Sequence, residues 1–307
     1  MTPTNKGSFR LFQIAGITVF LHWSWFVVAL FEVQDPANRY HSLAWNAVEY
    51  VALFGIVLLH EFGHALACRS VGGGAEQIVL WPLGGVAYVS PPPRPGATLW
   101  SIAAGPLVNV VLAVPLTAIV VAGEMLEWWP KGSEVRMLVI SLWFINAALL
   151  VFNLLPVYPL DGGKILWALL WFVFGRAKSL MVAAVIGMIG VVGVIAVAVL
   201  ARSVWIGIMA VFILMSCWRG LQTARVLARL DRLPRHDGFA CPSCKEAPPR
   251  GPFWQCNQCG AAFDAFETGA ACPQCATQFP ATRCIHCGGQ NPLADWRIAP
   301  PMVSQAD

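Results

Sequence analysis

The stretch "LLHEFGHALACRS", residues 58–70, places His60, Glu61 and His64 in the middle of an apolar segment. Ionisable side chains are rare and costly inside such segments. Residues four apart lie on the same face of a helix, so His60 and His64 can reach one metal ion with Glu61 beside them. Zinc held in this way keeps a position open for water, whose proton the glutamate can take. The stretch therefore predicts a helix that holds a catalytic zinc ion.

The rest of the chain is apolar over most of its length. Its 307 residues are 57% hydrophobic and 12% charged, and the mean hydropathy is +0.63. Globular domains usually have about 25% charged residues. From Gly238 onward the chain becomes polar and rich in Pro, Gly and Cys. This distribution predicts a multi-span membrane region followed by a small soluble tail.

Six segments are long and apolar enough to cross a bilayer, which takes about 20 residues in a helix. They are Ala15–Phe31, Trp45–Cys68, Leu99–Ala122, Met137–Trp171 with a break, Leu180–Leu200 and Val204–Trp218. The sequence thus predicts a polytopic α-helical membrane protein of about six spans. A different number of spans around residues 160–180 is the alternative. The distribution of Lys and Arg places both termini in the cytoplasm, in a multi-pass protein of the cell (plasma or inner) membrane.

The fourth segment contains "NLLPVYPLDGGK", in which two prolines and two glycines interrupt any regular helix. Irregular backbone at membrane depth is tolerated where it is buried in protein or lines a cavity. Asp161 lies in this break. It suits the N-cap of a following helix, and it equally suits a zinc ligand that stays ionised beside the metal. Taken with His60 and His64, the ligand interpretation is favoured.

Four segments in this order resemble the site-2 protease family of intramembrane metalloproteases. They are "HEFGH" at 60–64, "LWPLGGVA" at 80–87, "AGPLVN" at 104–109 and "FNLLPVYPLDGG" at 152–163, and the opening "GITVFLHWSWF" is similar too. The resemblance covers about residues 10–220. The combination is far more specific than HExxH alone, which soluble zincins share.

The resemblance implies that His60, His64 and Asp161 are zinc ligands and that Glu61 is the general base. It implies a role for Asn153 near the reaction centre, where it would hold the substrate carbonyl or the oxyanion; capping of the preceding helix is the equal alternative. The substrate implied is a single-span membrane protein, cut within or near the bilayer by regulated intramembrane proteolysis.

Further residues of the membrane region are assigned more modest roles. Residues 75–96 are predicted to form a small re-entrant β-hairpin, which in the family resembles an edge that receives extended substrate; a plain surface hairpin is the alternative. Gly105 and Pro106 are expected to break the third span. Asn109 is interpreted as a packing residue, and His22 as an interfacial anchor, with a gating role as its alternative.

The polar tail contains four CxxC pairs, two in each half of a repeat whose first cysteines are 31 residues apart. This pattern is typical of a double zinc ribbon, since four thiolates hold one structural zinc. Pairing within each half is inferred from the repeat. The predicted ligands of the two structural ions are Cys241, Cys244, Cys256, Cys259, Cys272, Cys275, Cys284 and Cys287.

The predicted organisation is a membrane-embedded metalloprotease domain (1–218), a basic juxtamembrane linker helix (219–237), the double zinc ribbon (238–290) and a flexible C-terminal tail (291–307). One catalytic and two structural Zn²⁺ ions are expected. From Cys241 onward there are four Lys or Arg and five Asp or Glu, so nucleic-acid binding is not expected. A cytoplasmic protein partner of the ribbons and the lipid bilayer are the expected partners. The alternative function is a non-enzymatic membrane zinc transporter or sensor.

Overall fold

The structure is a computed structural model that describes residues 7–27, 40–81, 84–130 and 132–298. Apart from residues 92–94, the chain divides into a long unit that ends at Ala224 and a tail unit that begins at Arg225. The described residues include five helices of a length and composition that can cross a membrane. They are α1 (Leu43–Ser70), α2 (Pro95–Met125), α3 (Glu134–Leu154), α5 (Arg176–Leu200) and α6 (Val204–Asp231).

Two strands before α1 and two strands after it form a four-stranded sheet. Its strands are β1 (Ser8–Ile14), β2 (Ile17–His22), β3 (Gly74–Trp81) and β4 (Gly84–Ser90), hydrogen-bonded in that order. The pairs β1–β2 and β3–β4 are antiparallel, whereas β2–β3 is parallel. Among the described residues, β4 is therefore an outer strand of the sheet.

The buried face of this sheet packs on α1. Alternate residues of two strands point to this face, and since side chains alternate along a strand they form one apolar surface. The core cluster that results includes Ile17, Val19, Ile78 and Leu80 from the sheet with Val57, Ala65 and Cys68 from α1. The guanidinium of Arg69 donates to the carbonyl oxygens of Ala15, Gly16 and Ala75. These contacts fix the C-terminal end of α1, and hence residues 60–64, relative to the sheet.

The predicted first span, Ala15–Phe31, is wrong over residues 15–22. Ala15 and Gly16 have φ angles of 49° and 72° and form the two-residue turn between β1 and β2, a conformation that suits the twist of a hairpin. Ile17, Thr18 and Val19 are β-branched and favour a strand. Residues 24–27 are helical, and residues 28–31 lie outside the described part of the chain.

The break in the fourth segment is present. α3 ends at Leu154, and the next helix, α4 (Asp161–Phe174), has 14 residues and is too short to span a bilayer. The break predicted at Gly105 and Pro106 is wrong, because α2 continues through both residues. Within the predicted hairpin at 75–96, β3 and β4 pair antiparallel as part of the larger sheet; residues 82–83 lie outside the described part, and the re-entrant position stays a prediction.

The tail unit contains two short hairpins. β5 (Trp254–Gln255) pairs with β6 (Ala262–Phe263), and β7 (Thr282–Arg283) pairs with β8 (Gln290–Asn291). Phe263, Phe266 and Trp296 form its small core together with cysteine side chains. The prediction of a flexible tail from residue 291 is wrong for residues 291–298, since Trp296 is 1% exposed and Ile298 N–H donates to the carbonyl of Gly238. Residues 299–307 lie outside the described part.

Candidate metal centre

Three predicted ligands, from two helices, converge in the long unit. Nε2 of His60 and Nε2 of His64 are 3.1 Å apart, and Oδ2 of Asp161 is 3.0 Å and 3.1 Å from them. All three side chains are buried. The helical spacing of 60 and 64 puts both imidazoles on one face of α1, and the start of α4 delivers the carboxylate.

The protonation of the two imidazoles indicates what this cluster binds. His64 Nδ1 is 2.9 Å from the carbonyl oxygen of Ser101, and His60 Nδ1 is 2.5 Å from Oδ1 of Asn109. Both of these oxygens are acceptors, so each Nδ1 is the N–H donor and each Nε2 is the nitrogen that faces the cluster. Two such nitrogens and a carboxylate oxygen that face one another are a suitable ligand set for a metal cation. Ligands of a tetrahedral zinc ion lie about 3.3 Å apart, so these residues fit zinc.

Gly105 of α2 makes room for the cluster. A Cβ atom there would lie 2.3 Å from Nε2 of His64 and 2.8 Å from Nε2 of His60. No side chain fits at such distances, so the two imidazoles pack directly against the backbone of α2. The glycine of "AGPLVN" is therefore required by the candidate metal centre.

Glu61 is held by the outer strand β4. Its Oε2 accepts a hydrogen bond of 2.8 Å from the N–H of Ala87. This N–H points away from β3, and so does that of Gly85, two residues earlier on the same edge. Gly85 also allows close approach, since a Cβ there would lie 2.2 Å from Cγ of Glu61. The carboxylate of Glu61 thus lies between the candidate metal centre and an unpaired strand edge.

Asp161 is the first residue of α4 and does not cap it. The N-cap position belongs to Leu160, without a side-chain cap hydrogen bond. Oδ2 of Asp161 faces the imidazoles, whereas Oδ1 is 3.6 Å from Nζ of Lys164, one helical turn further along. This ammonium group balances the charge of a carboxylate that is otherwise buried.

Asn109 and Asn146 belong to the site and were missed by sequence reasoning. The interpretation of Asn109 as a packing residue that ties down the loop between the second and third spans is wrong, because it lies within α2 and accepts from His60. Nδ2 of Asn109 donates to Oδ1 of Asn146 in α3 at 2.8 Å. The only available signal was that both are polar residues inside apolar helices.

Among the described hydrogen bonds, none links Asn153 or His22 to the candidate metal centre. Asn153 is half-buried in the last turn of α3. His22 ends β2, where its ring stacks on Trp81 with 3.8 Å between centroids and its Nδ1 accepts from the N–H of Ser24. These described partners of His22 are outside the cluster at His60, His64 and Asp161.

Comparison with known proteins agrees with this geometry. The model of peptidase family M50 matches residues 48–126 and 124–197, which include the HEFGH motif, strands β3 and β4, α2 and the LDGG helix. The chain belongs to peptidase family M50.

Two proteins are similar in sequence to this family M50 chain over part of their length. A zinc metalloprotease of Methanocaldococcus jannaschii is 32% identical over 206 residues, which cover 67% of this chain and 58% of the relative. Stage IV sporulation protein FB of Bacillus subtilis is 34% identical over 122 residues, 39% of each protein. The chain therefore spans little more than half the length of the first relative and less of the second.

A solved structure is also similar to this family M50 chain. The site-2 protease from Methanocaldococcus jannaschii matches with a TM-score of 0.50 and 28% sequence identity, covering 70% of this chain and 95% of that one. The similarity extends the family assignment to the fold, and zinc is the metal of the family.

The tail of this family M50 chain contains two clusters of four thiols. One consists of Cys241, Cys244, Cys284 and Cys287, and the other of Cys256, Cys259, Cys272 and Cys275. Contacts between sulfur atoms range from 3.5 to 3.8 Å. The sulfurs of a tetrahedral zinc site lie about 3.8 Å apart, so both clusters fit zinc and neither is disulfide-bonded.

The pairing of these cysteines differs from the one inferred from the repeat. The first CxxC shares a cluster with the fourth, and the second with the third, so one site is nested inside the other. The backbone explains this arrangement, because Ala240 N–H donates to the carbonyl of Trp296 and brings the two ends of the tail unit together. Spacing along the chain does not specify pairing in space.

Two tail thiols are poised to be thiolates. The hydrogen bond from Cys244 lowers the pKa of Cys284 to about 5, although burial opposes this shift. Hydrogen bonds from the side chain and backbone of Thr277 lower the pKa of Cys275 to about 6. Since the thiolate is the form that binds zinc, each cluster has at least one ligand ready at neutral pH.

Proposed function

We propose that this chain is a zinc metalloendopeptidase that hydrolyses peptide bonds in or near transmembrane segments of other membrane proteins. The observation that supports it most strongly is the convergence of two imidazoles and one carboxylate beside Glu61. His60, His64 and Asp161 would hold the catalytic zinc. A zinc ion there supplies a Lewis acid that polarises the scissile carbonyl and acidifies its water.

Glu61 would serve as the general base. Its Oε2 is engaged by Ala87 N–H, which fixes the orientation of the carboxylate, and Oε1 is left to take a proton from water and return it to the leaving amine. Asn153 would orient the substrate carbonyl. Family membership supports both assignments.

The outer edge of β4 would receive the substrate. A peptide bond in a transmembrane helix is shielded by its own hydrogen bonds, so the substrate must unwind before it is cut. Unwinding in lipid exposes backbone groups at a cost of several kcal/mol each. Pairing with the edge that includes Gly85 and Ala87 would satisfy some of those groups and bring the extended chain beside Glu61.

We infer the orientation of the chain in the membrane from its charge. Arginines cluster at the C-terminal end of α6 and just beyond it, which favours the cytoplasmic side for the tail; they are Arg219, Arg225, Arg229, Arg232 and Arg235. The tail would therefore hold two structural zinc ions in the reducing cytoplasm and bind a protein partner there. A transporter would need several metal sites across the membrane, and the described residues of the long unit form one such cluster.

The test uses the purified full-length chain in liposomes with a single-span substrate that contains Gly within its span. Glu61→Gln is expected to retain zinc and lose cleavage, because the base is removed and the ligands are not. Glu49→Gln is the matched control, since Glu49 lies on the same helix and contacts Ser141 instead. Wild-type turnover in Glu61→Gln would refute the proposed mechanism.

A further inference from the structure

The fully buried side chains of helix α3 are polar. Its two buried residues are Ser141 and Asn146. Ser141 donates to Oε1 of Glu49 on α1, and Asn146 is 1% exposed and pairs with Asn109 on α2. Asn146 touches none of the three predicted zinc ligands itself, yet it is one hydrogen-bonded residue away from His60.

In the hydrogen bonds that link His60, Asn109 and Asn146, each donor and each acceptor is determined. His60 Nδ1–H needs an acceptor, so the side-chain oxygen of Asn109 must face it and the amide nitrogen must point the other way. There it meets Oδ1 of Asn146 at 2.8 Å. Asn146 is oriented in turn, because its own Nδ2 donates to the backbone carbonyl of Asn109 at 2.9 Å.

We propose that Asn146 is a positioning residue of the metal centre, which holds the amide of Asn109 in the one orientation that accepts from His60. Without Asn146, the Asn109 amide can turn over and present its NH₂ group to the N–H of His60. Two donors would then face each other, and His60 would lose the hydrogen-bond acceptor that holds its ring with Nε2 aimed at the metal. The inference rests on zinc binding in the proposed function, but not on proteolysis.

The primary experiment measures metal affinity on the intact chain. Asn146→Leu keeps a similar volume and removes both hydrogen bonds of the amide. Cobalt replaces zinc in a chelator competition, because thiolate-bound and histidine-bound cobalt have different visible spectra and the two classes of site are read separately. We expect affinity at the histidine site to fall by about 10- to 100-fold, the usual effect of losing a group that orients a ligand. The tail sites should be unchanged.

Ser141→Ala is the matched control. It removes a buried polar contact of α3 to a different helix, α1, but it leaves the Asn109–His60 pair untouched. Its affinity at the histidine site should stay within about twofold of the wild type. Equal losses in Ser141→Ala and Asn146→Leu would overturn the proposal, since Asn146 would then act only by docking α3.

Variants built on Asn109→Asp separate the orientation of the side chain at position 109 from a general effect on stability. In Asn109→Asp either carboxylate oxygen can accept from His60, so nothing needs to select the orientation of the group. Adding Asn146→Leu to that background should change cobalt affinity by no more than about twofold. If Asn146→Leu lowered cobalt affinity in this background as much as it does in the chain with the natural Asn109, the proposal would be overturned. This comparison also decides the matter if Asn146→Leu alone fails to fold, and none of these outcomes depends on whether the chain cleaves a substrate.

Discussion

Gly105→Ala tests the close packing of the candidate metal centre against α2. The added methyl would start 2.3 Å from Nε2 of His64 and 2.8 Å from Nε2 of His60. Ordinary contact needs about 3.5 Å, so the two rings must retreat by roughly 1.2 and 0.7 Å. Zinc sites tolerate about 0.2 Å in ligand distance, so both imidazoles would leave coordinating range together.

We expect zinc affinity at this site to fall by at least about 100-fold in Gly105→Ala, which corresponds to about 2.7 kcal/mol, with a parallel loss of cleavage. Chelator competition on the purified chain measures it. Gly96→Ala is the control on the same helix, because its Cβ would lie 3.9 Å from Phe172, an ordinary contact. Wild-type zinc affinity in Gly105→Ala would refute the packing argument and the position of the metal.

Three further predictions address the neighbouring charge, the tail and the substrate. Lys164→Met should weaken zinc binding by up to about fivefold, because the exposed ammonium contributes modestly to the buried carboxylate; Lys164→Arg should retain affinity in the same competition assay. Replacing Cys241 and Cys284 together by Ser should remove one zinc per chain, whereas replacing Cys241 and Cys256 should remove two, as counted by metal analysis; the reverse result would restore sequential pairing. A substrate span with Gly beside the cleaved bond should be cut faster than an all-Leu span, since Gly lowers helix stability by about 1 kcal/mol, and equal initial rates would contradict local unwinding.

The residues of the candidate metal centre could be predicted because their spacing has a direct structural meaning. His60 and His64 share a helix face by periodicity alone, and Asp161 interrupts an apolar segment where an ionised group needs a partner. Asn109 and Asn146 could be recognised as polar groups that require partners. Their connection to His60 could not, because it depends on how α1, α2 and α3 pack.

The fold was harder to predict where composition and pattern disagree. Residues 15–22 are apolar enough for a span, but the Ala15–Gly16 turn and the run of β-branched residues make them a strand. Pro106 was expected to break α2, yet the helix continues, since helices in membranes can accommodate proline. In the tail, the spacing identified the zinc ligands, whereas their nested pairing follows from contacts between residues far apart in sequence.

The most direct test of the central claim removes and restores the metal of the intact chain. Metal-free protein receives zinc in steps, and bound zinc and cleavage of a single-span substrate are recorded in the same samples for the wild type and Asp161→Asn. The wild type should bind one zinc equivalent more than Asp161→Asn, and its cleavage should rise in proportion to that additional zinc. Asp161→Asn should remain inactive while its tail sites fill with zinc. Cleavage by the metal-free chain, or full cleavage by Asp161→Asn, would contradict a zinc endopeptidase centred on His60, His64 and Asp161.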